Sequence, residues 1–486
     1  MRNSSMWLKR TYGIAVGAVL ISALAGCNVG PKYKQPNFPS PPAFRGADEA
    51  AVSSAEQNSL GDQQWSQVFQ EPELQALIKT ALANNYDVRI AVQHILEQQA
   101  QVQITRAQQF PTLSIGGTGI GAGIPALNSI GNNNSNNSNS SLSLSSPLAE
   151  GSFSLSATWT PDFWGLYRKQ TEAARDQLLS QTWAQRAVRM TLVQNVATTY
   201  IQLRALDRQL EITKQTLAAR QDSLKLTETL ERGGSSPLSD VRQAEQLLYT
   251  ATSEIPQLEQ QIQQQENALT LLLGANPGPV GHTDPNALTP PPQDLPTGLP
   301  TQLLARRPDI QEAEAQLKEA NANIGVARAQ FFPQLSLSGS AGFGSDSFTN
   351  MFNAGSRTIY GIGSLTQPIF EGGKLRGQLK LSKETEQEML LSYEKTITGA
   401  LHDVSNALIA LKKQRDYREQ QEKLVAAAQD ATRLARIRYQ GGATAYLEVL
   451  TNDSTLYSAQ LNLVTAQQGE ALALVQLYSA LGGGWQ

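Results

Sequence analysis

One unit is repeated twice along this chain, and that duplication limits the possible folds more than any other feature. At a shift of 222 residues, Asp87 meets Asp309, Arg106-Ala107-Gln108 meets Arg328-Ala329-Gln330, and Phe110-Pro111 meets Phe332-Pro333. At a shift of 207 to 208, Pro161-x-Phe163-x-Gly165 meets Pro368-x-Phe370-x-Gly372, and Gly233-Gly234 meets Gly441-Gly442. Tyr249 likewise meets Tyr457, and Leu273-Gly274 meets Leu481-Gly482. A tandem duplication predicts internal pseudo-symmetry, which suits a tube or ring better than a catalytic cleft.

Within each copy the hydrophobic period changes from 3.6 to 2. Leu74, Leu77, Ile78, Ala81 and Leu82 predict a helix from near Glu73, and a second runs from about Tyr86 to Gln109 before Pro111 stops it. Beyond Pro111, Leu113 and Ile115 lead into Gly117, Gly119, Gly121 and Gly123, a strand with one small-residue face. No Lys and no strand-to-helix context accompany these glycines, so they are not a phosphate loop. After the Asn/Ser-rich loop 128–146, Phe153, Leu155, Ala157 and Trp159 alternate with Ser152, Ser154, Ser156, Thr158 and Thr160. That alternation, with an aromatic near its end, is what a strand of a membrane barrel requires. The second copy repeats it with Leu335, Leu337, Gly339, Ala341 and Phe343 against Ser336, Ser338 and Ser340, and Tyr360 and Ile362 alternate with glycines before Pro368. Pro111 to Pro161 spans 50 residues and Pro333 to Pro368 only 35; the excess falls on the Asn/Ser loop, as expected of an exposed tip.

Each hairpin runs into a very long helix. No proline interrupts residues 162–236 or anything after Pro368. Leu192, Val196, Leu203, Leu206, Leu210, Leu217 and Leu224 form a heptad-like seam, as do Leu401, Val404, Leu408 and Leu411. Gly165 to Arg232 would extend about 100 Å as a helix, far beyond the needs of a globular core. Gly233-Gly234 and Gly441-Gly442 predict reversals into antiparallel return helices that end near Leu273-Gly274 and Leu481-Gly482. The expected organisation is a signal segment 1–26, an extended segment 27–60, a first repeat 61–274 with its hairpin at about 111–161, a Pro-rich linker 275–300, and a second repeat 301–486 with its hairpin at about 333–368.

Arg2, Lys9 and Arg10 precede an apolar run from Tyr12 to Leu24, the pattern of a secretory signal. It ends in Leu24-Ala25-Gly26-Cys27, which resembles a bacterial lipobox, so Cys27 is the expected lipidation site. As the sole cysteine it permits no disulfide framework. Without the signal, 36 basic residues face 42 acidic ones, and no Lys/Arg-rich run marks a nucleic-acid partner. His94, His282 and His402 lie far apart without clustered ligands, so neither a metal nor another cofactor is expected beyond the covalent lipid. No nucleophile elbow appears, and an enzyme is not expected.

No later segment offers the run of apolar residues a transmembrane helix needs. A membrane crossing must then be a closed β-barrel, because lipid leaves no other partner for backbone polar groups. Two strands per copy make four per chain, short of the eight a barrel requires. Three chains would supply twelve strands and the helices to continue the tube. The fold class expected is an α+β membrane protein: a trimeric 12-stranded β-barrel continued by a long α-helical barrel, with a small equatorial region.

Particular motifs sharpen this. Leu299 to Ile310 reads LPTQLLARRPDI, and Gly30-Pro31-x-Tyr33-x-x-Pro36, Phe331-Phe332-Pro333, Gln367-Pro368-Ile369-Phe370 and Leu481-Gly482-Gly483-Gly484-Trp485 accompany it. Together they resemble the TolC-like outer membrane factors, in the lipoprotein (OprM/NodT-like) branch that serves resistance-nodulation-division efflux systems. Lys32 departs from the family's frequent Asp. The resemblance implies a homotrimeric outer-membrane exit duct, lipid-anchored and reaching into the periplasm, docked to a periplasmic adaptor and an inner-membrane pump. It also implies a gate at the periplasmic helix tips: Leu447, Glu448 and Thr451 with Tyr439 in the second copy, and Leu238, Asp240 and Arg242 in the first. Glu448 and Asp240 would form acidic rings; the other reading is that acids in a first helical turn simply favour the helix dipole. A pore-less periplasmic coiled-coil structural or adaptor lipoprotein is the alternative function, and the lipid-facing alternation of Phe153, Leu155 and Trp159 argues against it.

Overall fold

A computed structural model describes residues 29–39, 41–46, 59–122, 148–281, 296, 298–345 and 350–485. The signal segment, Cys27, the Asn/Ser loop, Gly123, His282 and most of the Pro-rich linker lie outside the described residues. The helices are α1 (Trp65–Val68), α2 (Pro72–Asn84) and α3 (Tyr86–Ala107), then after two strands α4 (Leu166–Arg232) and α5 (Leu238–Leu272). In the second copy come α6 (Pro300–Arg306), α7 (Pro308–Ala329), α8 (Lys374–Gln440) and α9 (Tyr446–Ala480). The strands are β1 (Thr112–Ala122), β2 (Leu148–Trp159), β3 (Gln334–Ser345) and β4 (Arg357–Thr366). Helices α4 and α8 have 67 residues each, and α5 and α9 have 35 each, so the duplication survives to the residue. Pro256 sits inside α5 without ending it, although it removes one ladder hydrogen bond.

Two compact units make up the chain, and each draws on both repeats: one takes residues 1–34, 98–177 and 317–388, the other 35–97, 178–316 and 389–486. The first unit holds an antiparallel sheet in the order β1-β2-β3-β4, leaving β1 and β4 as open edges. Its register places Ile115 opposite Leu155, Leu155 opposite Ala341 and Ala341 opposite Ile359, so these residues share one face. Leu113, Ile115, Phe153, Leu155, Ile359 and Leu365 stand exposed on that face. The other face carries hydroxyls: Ser114 and Ser156 lie 2.7 Å apart, and Thr118 and Ser152 lie 2.6 Å apart. β4 departs from the alternation read along it. Tyr360 pairs with Ser340 and Ile362 with Ser338, so both lie on the hydroxyl face, while Ile359 and Leu365 supply the apolar one. Apolar residues occur at both parities in β4, and only the pairing register decides which set faces which way.

Below the sheet, aromatic rings and amides tie strand ends to helices. The Trp159 indole N–H donates to the Gln109 carbonyl at 3.1 Å, and that of Trp164 to the Pro333 carbonyl at 2.7 Å. Trp164 also stacks on Phe332 with centroids 4.9 Å apart. Deeper in this unit, burial and then the neighbouring Glu172 push the Asp176 carboxyl up to about 6. A carboxyl held above its ordinary range leaves stability intact at low pH and erodes it as pH rises through that value. Asp176→Asn is therefore expected to match wild type near pH 4 and to gain about 1 kcal/mol at pH 7, discounted for partial exposure; thermal unfolding at the two pH values checks this.

The second unit has the larger apolar core. Trp65, Phe69, Ile78, Val196, Leu203, Leu269, Leu303, Val404, Leu477 and Leu481 belong to one buried cluster. At its margin Arg307, from the RRPD stretch, donates through Nη2 to Asp309 at 2.7 Å and to Asp403 at 3.1 Å, and through Nη1 to the Ala480 carbonyl at 3.1 Å. One guanidinium thus joins the start of α7, the middle of α8 and the end of α9, which is the physical content of that motif. Asp403 next to His402 is accounted for by this ion pair.

Candidate functional site

The two helix reversals in the second unit are built alike. Gly234 (φ 70°) and Gly442 (φ 72°) take the left-handed conformation that a residue with a Cβ resists. Ser235 N–H donates to the Leu230 carbonyl at 2.8 Å and Ala443 N–H to the Arg438 carbonyl at 2.8 Å, closing the last turns of α4 and α8. Each return helix then starts without a side-chain cap, at Pro237 and Ala445.

Asp240 and Glu448 occupy the same place, the third residue of α5 and of α9. Ser236 Oγ donates to Asp240 at 2.7 Å, and Thr444 Oγ1 donates to Glu448 in the matching position. Glu448 also accepts from Arg438 at 2.8 Å, which ties the first turn of α9 to the last turn of α8. Both acids therefore hold helix starts, and Glu448 is part-neutralised in addition. Arg242 pairs with Glu245 at 2.7 Å; that hydrogen bond favours its charged form. Leu238, Leu447 and Thr451 are exposed. Tyr439 packs on Tyr446 with centroids 5.2 Å apart, and its hydroxyl is buried with no hydrogen-bond partner.

Several residues that the sequence did not single out complete the tip. Tyr446 is 2.8 Å from Ser223 Oγ, which links the two hairpins of one chain. Arg220 is buried, donates to the Leu247 carbonyl at 2.8 Å and lies 5.1 Å over the Tyr457 ring; burial lowers its proton affinity. Arg436 donates to the buried Asp453 at 2.7 Å. Tyr457 hydrogen-bonds Thr213 at 2.9 Å, whereas its repeat partner Tyr249 is exposed. The repeat alignment marked both tyrosines, but only packing separates their roles. A cavity of about 580 Å³ opens beside the tip along α8 and α9, with Leu424, Leu450, Thr451 and Ser458 among its lining residues. Among the described residues, no group of three His, Cys, Asp or Glu could hold a metal ion, and no helix is long and apolar enough to cross a membrane.

A sheet with an exposed apolar face, a hydroxyl face and two open edges, followed by helices of 67 residues, defines a subunit of an outer-membrane channel. The chain belongs to the outer membrane efflux protein family, which matches residues 77–275 and 299–483. It is 34% identical over 464 residues to the cation efflux system protein CusC of Escherichia coli, covering 96% of this chain and 97% of that one. It is 36% identical over 479 residues to the probable efflux pump outer membrane protein TtgC of Pseudomonas putida, covering 96% and 95%. The solved open state of the Neisseria gonorrhoeae MtrE outer membrane channel superposes with a TM-score of 0.81 at 28% identity, over 95% of this chain and 99% of that one. The fold is accordingly TolC-like, with two repeats and four strands per chain. The protein is the outer-membrane channel of an efflux pump, extends into the periplasm, and transports rather than catalyses.

Proposed function

We propose that three copies of this chain close a twelve-stranded barrel and form the passive exit duct of a tripartite pump. The observation that carries this reading is the open sheet: β1 and β4 each present an unpaired edge beside an apolar face. In lipid each unpaired backbone group costs several kcal/mol, and edge-to-edge joining of β4 to the next copy's β1 removes the cost. A periplasmic adaptor and an inner-membrane resistance-nodulation-division pump would dock below, with the pump choosing the cargo. Purified protein should migrate as a trimer and conduct ions across planar bilayers; a monomer that stays soluble without detergent would overturn the reading.

Lipidation of Cys27 fits the same placement. Val29 N–H donates to the Trp164 carbonyl at 3.4 Å, at the level where β2 gives way to α4. Cys27 lies two residues earlier in the sequence, and acyl chains on its thiol would meet the bilayer. Cys27→Ser should abolish incorporation of labelled palmitate yet leave the protein in the outer membrane, since the barrel itself holds it.

The gate is assigned to the tips. Arg438 and Thr444 hold Glu448 and so keep the α8–α9 reversal closed on itself. Glu448→Ala removes a half-exposed ion pair of about 1 kcal/mol, about fivefold in the closed-to-open ratio. Closed-state conductance in bilayers should rise accordingly; unchanged conductance would leave Glu448 with its helix-start role alone.

A further inference from the structure

We propose that the outward face of the first turns of α8 binds the phosphate headgroups of anionic phospholipids in the periplasmic leaflet of the outer membrane. The inference rests on the outer-membrane placement above. Between the end of β4 at Thr366 and the start of α8 at Lys374, Ile369 is 95% exposed and Phe370 is 89% exposed. These apolar and aromatic side chains of the single chain lie directly beneath a membrane strand, the level at which aromatic residues meet headgroups.

Sidedness follows from a cleft of about 360 Å³ at this level. It is lined by Gln334 and Thr366, which pair with each other in phase with the hydroxyls of β3, and by Lys374 and Gln378 of α8. The Lys374–Gln378 side of α8 thus faces the same way as the hydroxyl face of the sheet. Arg376 lies two residues beyond Lys374, about 200° around the helix. Lys380 and Lys383 follow at the i+4 and i+7 positions and extend the same stripe. All three are exposed, and the helical period turns them away from Lys374 and Gln378, which points them toward the side of the sheet's apolar face.

The stripe spans about 10 Å along the axis, within the reach of flexible cationic side chains toward a leaflet surface. Below it, Gln387 and Glu394 occupy the corresponding positions, so the positive charge is confined to the turns nearest the bilayer. The first copy carries a diluted version. Arg168 and Arg175 of α4 match Arg376 and Lys383 at the 208-residue shift, but Glu172 replaces Lys380 and pairs with Lys169 at 2.7 Å. Each cation near an anionic leaflet strengthens binding by about fivefold.

Detergent-solubilised full-length protein would be mixed with equal amounts of dioleoylphosphatidylglycerol and dioleoylphosphatidylcholine, and the lipid that co-purifies quantified by native mass spectrometry. With three such cations, wild type should retain the anionic lipid about a hundredfold over the zwitterionic one. The R376Q/K380Q/K383Q variant should fall near parity, while R376K/K380R/K383R and the lower-helix control K412Q/K413Q should keep the preference. A triple-glutamine variant that still selects phosphatidylglycerol would overturn the proposal. Should that variant not assemble, wild type alone decides: selection must weaken from low to high salt, and salt-independent selection overturns the proposal. Lipopolysaccharide retained in place of phosphatidylglycerol, or displacement of the lipid by inorganic phosphate, also overturns it. Failure of the outer-membrane reading would look different: protein leaving the membrane fraction without detergent.

Discussion

Leu155→Arg is expected to remove the protein from the outer membrane as an assembled oligomer, while Ser336→Lys leaves assembly intact. Leu155 stands midway along β2, exposed, between Ile115 and Ala341 on the apolar face. An arginine near the bilayer midplane on the lipid side of a barrel costs about 2–4 kcal/mol. Three copies would each incur that cost before any barrel closes. Ser336 pairs with Ser364 on the hydroxyl face, where a lysine meets water. Membrane fractionation and heat-dependent oligomer migration on denaturing gels check both variants. Normal assembly of Leu155→Arg together with loss of Ser336→Lys would invert the assigned faces.

A comparably large effect is expected where α8 meets α9. Glu470 of α9 is 1% exposed, and its carboxylate accepts from Arg415 Nε at 3.1 Å and from Arg418 Nε at 2.5 Å, both on α8. Removing both arginines strands a buried charge, and breaking such a pair costs about 3–5 kcal/mol. R415A/R418A should therefore lose hydrogen-exchange protection along α9 and unfold at lower denaturant concentration. Adding Glu470→Met removes the stranded charge and should restore most of the loss, because an apolar side chain of similar size replaces a buried ion pair at little cost. If the triple variant stays as unstable as the double, packing around the arginines rather than the stranded charge sets the effect.

These two predictions differ in how far the sequence alone could have reached them. Leu155 was legible because the period of 2 against serine survives in one strand read by itself. Glu470 was not: in sequence it is one acid within a long helix, and its burial exists only because Arg415 and Arg418 approach from a helix more than 50 residues away. The tip shows the same division. The double glycines announced both reversals, since the φ needed at Gly234 and Gly442 is open to few other residues. The family resemblance points to Asp240 and Glu448 as gate acids, yet their shared place as third residue of a helix, each under a hydroxyl from the residue four before, depends on where the helices start. Arg438, which completes the Glu448 contact, carries no local signal.

Tyr360 and Ile362 illustrate the limit most plainly. β4 has apolar residues at both parities, and alternation cannot assign a face until Ser340 and Ser338 are set opposite them. The duplicated plan, the helix lengths, the reversals and the need of a four-stranded ribbon for neighbours can be read along the chain, because periodicity, glycine conformation and backbone satisfaction act locally. Which face of β4 carries which side chains, which charges are buried, and which guanidinium meets which carboxylate are settled by packing alone. Those outcomes depend on contacts between residues far apart in the chain, where burial sets the energy of a charge and pairing sets the direction of a side chain.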